Sequence, residues 1–151
     1  MTEVSGAVLR SAPPPPPPAG VPYRIIVTGS RHVTASQGIY VMNVLYLATL
    51  RPLALNRTVV IIQGECPYGG VDLVAKSWAT SAGLPGESYP PEITADGKVL
   101  GPARNQRMVD AGGSLCLAFP TIGSRGTWDC VRKAADAGIH VRIYPLREEP
   151  A

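Results

Sequence analysis

Arg24-Ile25-Ile26-Val27-Thr28-Gly29-Ser30-Arg31 decides the fold. Three branched apolar residues in succession leave no polar face, so the strand they form is expected to be covered on both sides. Gly29-Ser30 stops it, and a helical segment follows from about Ser36 to Leu50, ended at Arg51-Pro52. Strand, glycine-bearing turn and helix together make the first half of a parallel crossover unit.

Working outward, the same pattern recurs. Thr58 to Gln63 reads as a second strand stopped by Gly64, and Gly70 to Ala82 as a helix ended by Gly83. A short third strand is expected near Glu87 to Tyr89, with a loop over residues 90–100. Ala103 to Ala111 reads as a short helix ended by Gly112-Gly113. Ser114 to Phe119 is a strand, Thr127 to Ala137 a helix ended by Gly138, and His140 to Tyr144 the last strand. This alternation predicts an α/β fold, a Rossmann-like doubly wound three-layer sandwich with a mainly parallel sheet of about five strands. With strand order 3-2-1-4-5, the turns after the first and fourth strands flank one crevice, where such sheets bind ligands.

The chain has 151 residues, enough for one domain. Residues 1–22, with six successive prolines from Pro13 to Pro18, read as a disordered proline-rich arm that cannot enter a helix or sheet interior. Residues 23–147 read as the folded domain and 148–151 as a tail. The arm is either a spacer or a ligand for an SH3-like domain. A net charge of +3 is too weak for a nucleic-acid platform. Three scattered cysteines, Cys66, Cys116 and Cys130, form no disulfide framework, and neither they nor the lone His32 and His140 have metal-ligand spacing. No metal and no cofactor are expected. Residues 1–12 lack the apolar core of a secretory signal, and the longest apolar run, Ile39 to Leu50, is too short for a bilayer. A cytoplasmic protein is therefore expected.

Apolar residues occur almost all round the helix from 36 to 50, which predicts burial on more than one side and a homodimer or higher oligomer through this helix.

Four turns carry the candidate site. Gly29, Ser30 and Arg31 form either a phosphate-binding turn or an ordinary strand-to-helix turn with a serine cap. No Walker A and no G-x-G-x-x-G pattern is present. Gly64 stops the second strand, while Gly69 and Gly70 open the next helix and could offer bare amides to an anion. Asp72 either binds a ribose hydroxyl or complements the helix dipole. Cys66 is a nucleophile candidate without a histidine base and reads better as a structural thiol. Gly101 to Met108 places Arg104 and Arg107 in what reads as an opening helical turn, where cations oppose the macrodipole unless an anion lies between them. Asn105 adds a donor and an acceptor for a base or sugar. Gly123, Ser124, Gly126 and Thr127, with Arg125 among them, combine flexible backbone, a hydroxyl and a cation at a helix start.

In order and content these blocks resemble the SLOG superfamily, in particular its small YspA/YpsA-like branch of bacteria and phages. The matching stretches are Ile26 to Arg31, Gly64 to Asp72, Gly101 to Asp110, Ala118 to Pro120 and Gly123 to Thr127, within residues 23–145. The resemblance implies a Rossmann-like fold and a nucleotide or nucleotide-derived ligand, phosphate-bearing or ADP-ribose-like. Related LOG phosphoribohydrolases carry a P-G-G-x-G-T-x-x-E motif whose glutamate acts at the N-glycosidic bond. Here that position holds Cys130, and Asp129 is one residue early.

The expected function is binding of such a ligand at the carboxyl edge of the sheet, as a sensor or sequestering protein. The alternatives are a hydrolase of N-glycosidic or phosphoester bonds using Asp72, Asp129 or Glu65, and an interaction module without ligand. Nucleic acid is the weakest candidate partner, and no membrane association is expected.

Overall fold

The structure, a computed structural model, describes residues 20–147. The proline run and residues 148–151 lie outside the described residues. Five strands alternate with four helices: β1 Tyr23–Gly29, α1 Ala35–Ala54, β2 Val59–Gln63, α2 Gly70–Ala82, β3 Gly86–Ser88, α3 Gly101–Asp110, β4 Leu115–Phe119, α4 Arg125–Asp136 and β5 His140–Ile143. The strands form one sheet in the order β3-β2-β1-β4-β5. Every pairing is parallel; Ile26 of the central strand stands opposite Ile62 on one side and Cys116 on the other. The α/β doubly wound architecture and the strand order agree with the expectation.

The two-residue period of β1 divides the interior. Ile25 and Val27 point to a core shared with Val41 and Leu45 of α1, Val71 and Ala75 of α2, and Phe119. Ile26 points to the opposite core, with Ile62, Met108 of α3, and Cys130 and Val131 of α4. Because both faces are buried, β2 and β4 have no exposed residue at all. The reversal of connection direction falls between β1 and β4, and their ends are tied by the Ser30 amide donating to the Phe119 carbonyl at 3.0 Å.

Three helices differ from expectation at a boundary, α4 starting at Arg125 rather than Thr127. Helix α1 does not stop at Arg51-Pro52 but runs through Pro52 to Ala54. A proline forfeits one intrahelical hydrogen bond, and here its ring is buried in compensation. At its start, Thr34 and Gln37 form a reciprocal capping box. Helix α3 begins two residues early, at Gly101, with Pro102 in its first turn. Proline is suited to that turn because the missing N–H has no intrahelical partner there.

The buried stripe of α1 is Gly38, Val41, Leu45, Thr49 and Pro52. The expected burial on several sides is not met within one chain. Ile39, Tyr46, Leu47, Leu50 and Leu53 are exposed on the other side. Among the described residues no helix is long and apolar enough to cross a membrane.

Candidate functional site

A crevice of about 470 Å³ opens at the carboxyl edge of the sheet, over the gap between β1 and β4. Its walls come from the turns after β1, β2 and β4 and from the first turns of α3 and α4.

The turn after β1 contributes Thr28, Gly29, Ser30 and Arg31. Its backbone is clamped from below. A Cβ on Gly29 would stand 2.5 Å from Val71 Cγ2 and 2.8 Å from the Phe119 carbonyl oxygen. The turn after β2 is docked against it just as closely. The Val71 amide donates to the Ser30 carbonyl at 3.0 Å, and Gly70, at φ +67, lies so near that a Cβ would come within 2.2 Å of the same oxygen.

The turn after β4 supplies a hydroxyl cluster. Ser124 Oγ accepts from the Thr121 amide at 2.8 Å and lies 3.0 Å from Thr121 Oγ1, which donates to Ser30 Oγ at 3.2 Å. These contacts bridge the two strand ends that face each other across the switch point. Helix α4 then begins with no side-chain cap and no acidic residue in its first turn. The amides of Gly126 and Thr127 have no partner among the described residues, as expected of the first turn of a helix. Thr127 is only 3% exposed and lines the crevice, yet its hydroxyl makes no hydrogen bond to the described residues. The Arg125 side chain, on the same wall, is equally uncommitted.

At the floor, Asp72 in the first turn of α2 is almost wholly buried. Its carboxylate accepts from the Cys66 amide at 3.1 Å and stands 4.0 Å from Arg104 Nη1. Burial pushes its pKa up to about 6, against the opposing pull of Arg104 and of the Cys66 and Gly64 amides. Asp129, on the α4 wall, is the opposite case. Burial pushes its carboxyl up, but Lys133 at 2.8 Å, Asn105 at 3.1 Å and Arg132 at 2.7 Å together hold it below the ordinary value.

Sequence comparison adds a relative. The chain is 44% identical over 89 residues to the Gene 61 protein of Mycobacterium phage D29, a match covering 50% of this chain and 71% of the phage protein. The chain belongs to the family of that phage protein. The name Gene 61 protein states no activity, so membership assigns none. No protein-family model matches the chain, and no solved structure matches it.

In this family member the expected site residues separate into two groups. Gly29, Ser30, Arg31, Asp72, Arg104, Asn105, Ser124, Gly126 and Thr127 line the crevice together. Gly64, Gly69, Gly70, Arg107 and Gly123 do not. The Gly69 amide donates to the Cys66 carbonyl at 3.0 Å, and Gly70 packs against the Ser30 and Arg31 backbone outside the crevice lining. Gly64 accepts a hydrogen bond from Arg104 Nη1 through its carbonyl. Gly123 adopts φ +80 in the turn that leads into α4.

The two arginines that read as helix-opening cations require correction. Since α3 ends at Asp110, Arg107 sits in its last turn, where a cation is favoured by the dipole. It donates to the Pro90 carbonyl at 2.9 Å, away from the crevice. Arg104 does reach the crevice, but it is held by the Gly64 carbonyl, by Asn105 Oδ1 at 2.9 Å and by the charge of Asp72. Asn105 is likewise spent. Its amide nitrogen donates to the Gly126 carbonyl and to Asp129, both at 3.1 Å, so it ties α3 to α4 rather than standing free for a base. Glu65 pairs with Lys76 at 3.1 Å and does not line the crevice. Cys130 is fully buried.

Two further crevice residues, Arg125 and Tyr68, lie outside the expected set of ligand-binding residues. Arg125 was visible inside the Gly123 to Thr127 turn, and its place at a helix start was the available signal. Tyr68 gave none beyond lying in the turn after β2. Its ring lies under the Arg31 guanidinium, with Cζ 4.9 Å from the ring centroid.

Proposed function

We propose that the protein binds a phosphate-bearing, nucleotide-derived small molecule in this crevice, as a sensor or sequestering protein. The single observation that carries the reading is the buried Thr127 hydroxyl without a described partner, beside two open amides and the uncommitted Arg125. A buried donor left unpaired costs about 1–3 kcal/mol, and a phosphate oxygen at the start of α4 removes that cost. Ser124 at the start of α4 and Ser30 from the end of β1 complete a polar cradle. The resemblance to the SLOG superfamily supports a nucleotide-derived molecule over a bare anion, and the crevice volume is in the range of a drug-sized ligand, about 300–1,000 Å³.

Isothermal titration with ribose 5-phosphate, AMP and ADP-ribose tests the reading. Binding of at least one is expected. Arg125→Ala should weaken it by about 1.5–3 kcal/mol, the range for a charged hydrogen bond. Unchanged affinity in that variant defeats the assignment.

A second reading, hydrolysis of the bound molecule, is favoured by one observation. The crevice holds one carboxyl raised to about 6 and one kept ionised, Asp72 and Asp129. Pairs of this kind divide acid and base roles in hydrolases. Chromatography of AMP and ADP-ribose after incubation distinguishes the readings, since released base or phosphate identifies an enzyme.

We further propose a homodimer through α1. No charged residue occurs from Ala35 to Leu50, and the outer side of the helix exposes Ile39, Tyr46, Leu47 and Leu50. A helix facing water ordinarily carries charge on that side. A second copy offers the same uncharged stripe, as a two-fold interface requires. A cytoplasmic setting, that of the host if a phage encodes the protein, goes with this reading.

A further inference from the structure

We infer that Tyr68, stacked with Arg31, forms a base subsite that selects ligands carrying a planar aromatic base. The inference rests on the phosphate reading above and adds the direction in which the molecule lies. Its phosphate sits at the start of α4 and its base on the far wall, over the turn after β2.

Three observations carry it. Tyr68 lines the crevice, is 54% exposed, and therefore presents ring surface to whatever enters. The Arg31 guanidinium already lies over the ring, so a cationic and an aromatic plane are layered at the rim. A nucleobase adds to such a stack as a further layer, because every base has a π-face and the cation draws it in. Third, the stack is preorganised. Tyr68 and Arg31 come from different turns, yet the backbones of those turns are locked by the Val71 to Ser30 hydrogen bond and by the contact at Gly70. The hydrogen bonds from the Cys66 N–H to Asp72 and from the Gly69 N–H to the Cys66 carbonyl fix the rest of the Tyr68 turn backbone. Little ordering remains to be done when the base arrives.

Arg31 and Arg125 thereby take separate tasks. Arg31 holds a base through its plane, and Arg125 meets a phosphate through its N–H groups. Asp72, Asn105 and Ser30 line the same crevice and offer polar groups for a sugar.

The test compares AMP with ribose 5-phosphate, which shares its sugar and phosphate and lacks the base. Calorimetry on the full chain should show AMP binding about tenfold tighter. In Tyr68→Ala this advantage should vanish while ribose 5-phosphate affinity stays the same, and in Tyr68→Phe the advantage should remain. Tyr68 is half-exposed, so both variants should melt as the wild type does. Ribose 5-phosphate binding with no gain from adenine overturns the base subsite and leaves the phosphate site standing. The same holds for equal loss of both ligands in Tyr68→Ala. If neither these two compounds nor ADP-ribose binds, both readings are overturned.

Discussion

Asp72 is an acid held where its charge is disfavoured. Its folded pKa is about 6, above the ordinary value of 3.8. On raising the pH from 3.8 to 6, the unfolded chain loses this proton before the folded one does. The group's contribution to stability is therefore greatest below the ordinary value and declines through that window, by on the order of 2–3 kcal/mol. Asp129 and His140 have lowered values and act in the opposite direction, Asp129 below its ordinary value and His140 below 6.5. The comparison must therefore be between wild type and Asp72→Asn. Urea unfolding across pH 4–7 should show the variant gaining relative to wild type as pH rises, with the difference flat above about 7. Arg104→Ala should act on the same carboxyl, raising its pKa further and costing about 1–3 kcal/mol of stability through the unpaired buried groups. Carboxyl titration by NMR reads the first effect and urea unfolding the second. For Arg104 the sequence pointed to the crevice but not to the protein groups that hold it there. A guanidinium's position in the chain is local information, and the Gly64 carbonyl that occupies it lies 40 residues away.

At the scale of elements, the crevice depends on two turns being fixed to each other. Gly70 is the joint, with positive φ and a Cβ direction that points into the Ser30 carbonyl. Gly70→Ala should cost about 3 kcal/mol or more, since backbone strain and a clash with backbone add. A fall in the thermal midpoint and loss of ligand binding should appear together. The strands and most helices were legible because period and turn chemistry are local signals: β1, β2 and β4 announced themselves as apolar runs ended by glycine or proline. Helix α3 was misplaced by two residues at its start because Gly101-Pro102 read as a turn rather than as a first turn of helix. Arg107, seven residues into α3, lies in its last turn and not at its opening, which reverses the meaning of its charge.

Across the whole molecule, the sheet separates two unlike surfaces. One edge holds the polar crevice, and one helical layer presents the uncharged stripe of α1. Leu47→Glu with Leu50→Glu should convert a dimer to a monomer in multi-angle light scattering while leaving phosphate affinity intact, because neither residue lines the crevice. The amino-acid sequence by itself determined the α/β class, the alternation of elements and the edge of the sheet where a site belongs. These follow from side-chain period, chain reversal at glycine and the handedness of crossovers, none of which needs distant contacts. Only the tertiary structure decided which donors remain open. Asn105 is tied to α4 and Arg104 is held by the Gly64 carbonyl and Asn105, while the Arg125 side chain and the Thr127 hydroxyl have no partner among the described residues. Whether a polar group is satisfied depends on partners that the fold brings from elsewhere in the chain, and no local pattern encodes that.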